Sequence, residues 1–162
     1  MDLQIEYVGV EKDEETQVIL GHAGFIKAVE DLYEAMAGSV PGAKFGIAFS
    51  EASGALLVRS DGNDPGLIEM AEESMMRISA GHTFIILFKG AYPINVMNSI
   101  KGVPEVARVY CATSNPLTVL VAKSDRIRSV IGVVDGLPPR GVESDEEKEK
   151  RHKLLRDLGY KR

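Results

Sequence analysis

Residues 79–88 read Ser-Ala-Gly-His-Thr-Phe-Ile-Ile-Leu-Phe, and the reading of this stretch decides the fold. The run Phe84-Ile85-Ile86-Leu87-Phe88 has no polar alternation, so the strand it forms is apolar on both faces, as in a central strand covered on two sides. Helices are therefore expected on both faces of the sheet. His82 stands at the mouth of this strand, one of three histidines in the chain. It is either a packed core residue or a chemical centre: Gly81 permits close backbone approach and Thr83 supplies a hydroxyl, yet no acid lies nearby in sequence.

Upstream, Asp64 as N-cap and Pro65 at the first helical position open a helix whose Leu67, Met70, Ala71, Ser74, Met75 and Ile78 face inward. Its methionines read as core filling. Before it, Lys44–Phe49 and Ala55–Arg59 are strands, and the short Glu51-Ala52-Ser53-Gly54 link makes them a hairpin. Phe25, Val29, Leu32, Tyr33 and Met36 recur at helical spacing and predict an amphipathic helix that Gly38 and Pro41 end. Leu3, Ile5, Tyr7 and then Gln17–Leu20 form two opening strands around the acidic turn Glu11–Glu15.

Downstream, Gly90-Ala91-Tyr92-Pro93 turns into a short helix that ends near Gly102, and the strand Val106–Cys111 follows. This is a βαβ crossover, which makes the strands on either side of it parallel. Leu117–Ala122 and Val130–Val134 add two strands. After Pro138-Pro139 comes a final helix with a Ser144/Glu147 capping box, an acidic first turn and Gly159 as terminator; its charges form a solvated face. The sum is an α/β chain, a three-layer α/β/α sandwich around a mixed β-sheet, with residues 1–162 in one domain.

Composition narrows the function classes. The chain has 162 residues, 44% hydrophobic and 27% charged, with a formal net charge of −5. A chain of this length buries about 70% of its unfolded surface without disulfides or metals. Basic residues are scattered among acids, so no stripe suits a nucleic-acid backbone. No apolar run is long enough to span a membrane, the opening stretch carries no secretion signal, and Cys111 is alone, all of which fit a cytoplasmic protein. There is no phosphate-loop, dinucleotide, zinc-protease or nucleophile-elbow motif.

What remains are polar, glycine-rich links at strand ends, where sites usually sit: Gly62-Asn63-Asp64, Tyr92-Pro93-Ile94-Asn95, Ala112-Thr113-Ser114-Asn115-Pro116 and Asp135-Gly136. Asn95 and Asn98 share a helix face near a positive dipole end, suited to an anion or a purine edge or to local backbone groups. Thr113 and Asn115 carry the same two readings. Glu51 and Asp135 could each hold a metal or a ribose hydroxyl, or serve turn chemistry alone. His22 is a loop or a site residue, and His152 is solvent-facing. Cys111 reads as a buried inert thiol, with a Cys–His pair as the alternative.

Several segments in fixed order resemble the adenosine-specific kinase family: Phe25-Ile26-Lys27 with Val29–Glu34, Phe45–Phe49 with Glu51–Gly54, Ala80-Gly81-His82-Thr83-Phe84, Pro93–Val96, Tyr110–Thr113 with Asn115-Pro116, and Gly132–Gly136. The resemblance runs from about residue 17 to Tyr160. It departs at Gly24, where many members carry a histidine; here His22 stands two places earlier. The resemblance implies adenosine or AMP binding, a histidine that can carry a phosphoryl group, and a homotrimer.

On this basis the expected function is adenine-nucleotide binding with phosphotransfer. His82 accepts or relays a phosphoryl group from ATP, and Gly81, Asn95, Asn98, Thr113, Asn115 and Gly136 help bind the nucleoside or nucleotide. Mg²⁺ would bridge phosphates to Glu51 or Asp135. The alternative is an AMP- or ADP-sensing or scaffold protein that uses the same loops without turnover. One difficulty stands open: ligands usually bind beyond the carboxyl ends of sheet strands, yet His82 begins its strand. Either antiparallel neighbours bring their ends to it or a second subunit completes the site.

Overall fold

A computed structural model describes residues 2–162. In chain order the elements are β1 (Gln4–Gly9), β2 (Gln17–Ala23), α1 (Ala28–Ser39), β3 (Lys44–Ser50), β4 (Val58–Gly62), α2 (Pro65–Ile78), β5 (Thr83–Lys89), α3 (Pro93–Lys101), β6 (Val106–Thr113), β7 (Leu117–Lys123), β8 (Arg128–Asp135) and α4 (Asp145–Asp157). The stretch after His82 is central: β5 is the third strand of a five-stranded sheet ordered β4-β3-β5-β2-β6, and Thr83–Phe88 are all buried.

Its two faces serve two cores. Phe84, Ile86 and Phe88 pack with Phe45, Ile47 and Phe49 under α1 and α3. Ile85 and Leu87 point the other way, onto Leu67, Ala71, Met75 and Ile78 of α2 and Val119 and Val121 of a second sheet. At roughly 1.5–3 kcal/mol for each fully buried large apolar side chain, β5 is the strand the fold can least do without. The layers are thus α1 with α3, the five-stranded sheet, then α2 beside a three-stranded sheet ordered β1-β7-β8. The α/β/α sandwich holds.

Helix boundaries follow their local signals. Asp64 accepts the Leu67 amide at 3.0 Å and Pro65 is the first helical residue of α2. Ser144 accepts the Glu147 amide at the start of α4. Gly46 lets α2 lie directly on β3, because a Cβ there would stand 2.2 Å from the Leu67 carbonyl carbon and 2.3 Å from the Ile68 amide nitrogen.

Four expectations change. Among the described residues every strand pairing is antiparallel. The strands flanking the α3 crossover, β5 and β6, do run in the same direction, but β2 lies between them, so they are not partners. The two opening strands part company, β1 joining the small sheet and β2 the large one, because Gln17–Leu20 is buried on both faces whereas β1 alternates. The β3–β4 hairpin has a longer loop, since β4 begins at Val58 and its partner is Ser50. Phe25, read as the first inward residue of α1, is 57% exposed in the turn before that helix.

Candidate functional site

Antiparallel pairing resolves the difficulty over His82. Because β2 and β3 flank β5 and run against it, their carboxyl ends meet its start. The His82 amide donates to the Ser50 carbonyl at 2.7 Å, and the His82 carbonyl accepts from the Ala23 amide at 2.8 Å. Held on both sides, His82 takes a left-handed backbone with φ 59°, a conformation uncommon for a residue with a Cβ. Gly81 makes this turn possible: a Cβ there would lie 2.7 Å from that of Ala52 in the β3–β4 loop.

The imidazole is half-buried. It stacks on Phe49, with ring centroids 6.1 Å apart at 21°, and meets the ring of His22 edge-on at 5.8 Å. His22 is the penultimate residue of β2, opposite Thr83 of β5 and Arg108 of β6. Burial, and then the positive potential of His82 and Arg108, hold the His22 pKa below its ordinary value. It is therefore kept neutral at neutral pH, with a lone pair available.

Glu51 follows β3 at the same edge. One carboxylate oxygen accepts from Arg59 at 3.1 and 3.0 Å, and the other accepts the Leu57 amide at 2.8 Å. The Leu57 amide first, and Arg59 after it, hold the Glu51 pKa below the usual carboxylate range. This glutamate organises the loop over Gly81. Glu51 and Gly81 also line an open cleft of about 1410 Å³ between the two sheets, which Ser50, Ser79, Asp125 and Arg126 help to wall. Polar walls and charges of both signs suit a polar ligand with an anionic portion.

The other residues singled out from sequence lie at the far edge of the sheet, about 20 Å away along a seven-residue strand. The 90–95 and 112–115 links do share that edge, and the side chains there serve the backbone. Asn95 accepts the Tyr92 amide at 2.9 Å, and the Thr113 hydroxyl accepts the Asn115 amide at 3.0 Å. Asn115 donates to Asp135 at 3.0 Å, and Gly136 packs on Asn115 at φ 69°. Asn98 is exposed on α3. The structure thus brings Glu51, Gly81 and His82 together with His22 and leaves Asn95, Asn98, Thr113, Asn115, Asp135 and Gly136 apart from them.

A Mg²⁺ site was expected at Glu51 or Asp135, and among the described residues neither carboxylate belongs to a cluster that would hold the ion without a nucleotide's phosphates. Both Glu51 oxygens are engaged, Asp135 is paired with Asn115, and no group of three or more His, Cys, Asp or Glu side chains among the described residues could hold a metal ion. Cys111 pairs with Leu20, and burial pushes its thiol up to about 12, so it is no nucleophile. His152 is exposed on α4.

A family model described as adenosine specific kinase matches residues 8–161. The chain belongs to the adenosine-specific kinase family. Fold and family mark a nucleotide-binding, kinase-type protein. A crystal structure of the PH1918 protein from Pyrococcus horikoshii OT3 is similar at 47% identity, with 99% of each chain covered and a TM-score of 0.94. No curated protein matches. Among the described residues, no helix is long and apolar enough to cross a membrane.

Sequence reasoning about this family member missed Arg59 and Arg108. Their only local signal is a charge inside a strand, and what gives them a part is register: Arg59 stands opposite Phe49, and Arg108 opposite His22.

Proposed function

We propose that this protein binds an adenine nucleotide at the His22–His82 edge and transfers a phosphoryl group through His82. The observation that carries this reading is the pair of half-buried imidazoles 5.8 Å apart beside Arg108 and the Glu51–Arg59 pair. The neutral nitrogen of His82 attacks the γ-phosphorus of ATP. A P–N bond forms, the bridging P–O bond breaks, and ADP leaves with the electron pair. The proton on the other ring nitrogen is retained or passes to neutral His22. Positioning and charge neutralisation supply most of the catalysis in such transfers, and Arg108, opposite His22, is a cation set at this edge.

Asn95, Asn98, Thr113 and Asn115 can reach a nucleoside at this edge only from a neighbouring subunit. A cyclic homotrimer with nucleotide sites at or near its subunit contacts is the assembly that accommodates them. The test is to incubate wild-type, His82→Ala and His22→Ala proteins with γ-labelled ATP and measure acid-labile, base-stable phosphate. Labelling is expected in wild-type and in His22→Ala at reduced rate, and not in His82→Ala. Equal labelling of wild-type and His82→Ala removes His82 from the mechanism. Tight AMP binding with no transfer to any acceptor would instead identify an AMP or ADP sensor.

A further inference from the structure

Among the described residues, two apolar surfaces have no partner within the chain. The first is the outer face of the three-stranded sheet. Antiparallel register puts Ile5 opposite Ala122, Tyr7 opposite Leu120, and Thr118 opposite Val134, all on one face, while Val8, Val119 and Val130 fill the inner one. On the outer face Ile5, Tyr7 and Val134 are 57%, 72% and 46% exposed. Monomers rarely leave a contiguous apolar sheet face to water.

The second surface is at the end of the C-terminal arm. No residue of α4 is buried. Leu154 and Leu158 lie one turn apart, 54% and 58% exposed, and the chain folds back at Gly159, where the Tyr160 amide donates to Leu155. A free helix of this length is marginal in water. The similar crystal structure nonetheless superposes over 99% of both chains at a TM-score of 0.94, a value too high for the arm to point elsewhere in it.

Charge indicates what holds the arm. From Arg151 to the last residue there are five Lys and Arg and one Asp, whereas residues 1–140 carry 12 Lys and Arg against 18 Asp and Glu. A basic, leucine-bearing helix end thus meets an apolar face on a body of opposite net charge.

We propose that α4 of one subunit packs its Leu154–Leu158 stripe onto the outer face of the β1-β7-β8 sheet of the next subunit. The contact is heterologous, the kind that builds a ring when its rotation closes and a filament when it does not, and the trimer proposed above requires closure. It goes beyond the nucleotide reading, needs no ligand, and names the surfaces of the assembly proposed above.

The test is sedimentation equilibrium of the full chain and of two double variants, Leu154→Glu/Leu158→Glu on the helix and Ile5→Lys/Tyr7→Lys on the sheet. Far-UV circular dichroism confirms that each is folded. Wild-type is expected at a multiple of the 17.6 kDa chain mass, and each variant alone at the monomer mass. A 1:1 mixture of the two variants is expected to form dimers, because it restores one intact helix and one intact sheet face. Wild-type assembly that survives both variants overturns this contact and leaves the trimer standing. Loss of assembly in the helix variant alone means that helices pair with helices and also overturns it. A monomeric wild-type overturns both.

Discussion

Replacing His82 by glycine and, separately, by alanine divides the backbone's contribution from that of the imidazole. At φ 59° an L-residue is strained by about 1–2 kcal/mol, and the bonds to Ser50 and Ala23 on either side prevent relaxation. Alanine keeps that strain and loses the stack on Phe49, a loss of about 0.5–1.5 kcal/mol. Glycine loses the same stack and sheds the strain, but it frees the unfolded chain by about 0.4–1 kcal/mol. The difference favours glycine by about 1 kcal/mol, or roughly 2–4 °C in Tm for a chain of this size. Urea unfolding followed by far-UV circular dichroism measures it, at fixed protein concentration because assembly contributes to apparent stability. Both variants should fail to take up label from ATP, so a glycine variant more stable than its alanine counterpart and chemically silent would separate strain from chemistry. An alanine variant more stable than the glycine one by 1 kcal/mol would refute the argument that the fold tolerates strain in order to aim this ring.

Three further outcomes are expected. The folded-state pKa of His22 lies below its ordinary 6.5, so stability present above pH 6.5 is lost as pH falls through the lower folded value; His22→Gln should flatten the pH dependence of the urea midpoint below pH 6.5, and an unchanged slope contradicts the assignment. Gly46→Ala drives a methyl into the Leu67–Ile68 backbone at 2.2–2.3 Å and should cost about 1–3 kcal/mol or more by lifting α2 from β3, whereas a midpoint equal to wild-type would mean the helix is not so closely seated. Cys111, with its thiol raised to about 12, should resist alkylation at pH 8 until the protein unfolds; stoichiometric labelling of native protein would show the thiol to be accessible.

The parts of this protein legible in its sequence are those set by neighbours along the chain. The unbroken apolar run after His82 announced a strand buried on both sides, Asp64-Pro65 and Ser144/Glu147 marked helix starts, and Gly81-His82 and Glu51 stood out as turn residues at strand ends. Each of these is a matter of local conformation or one-dimensional burial pattern, which a few consecutive residues determine. Strand partnership is different, because it depends on contacts between residues far apart in the chain and on a register that many weak pairings choose together. That is why only the tertiary structure could insert β2 between β5 and β6, split the strands into two sheets, and make every pairing antiparallel. The insertion of β2 carries His22 to His82 and sets Arg108 beside it, and the pairing of β3 with β5 brings Glu51 to Gly81. The same directions send the asparagine-bearing links to the opposite edge, because a strand's two ends lie about 20 Å apart however similar their loops look in sequence.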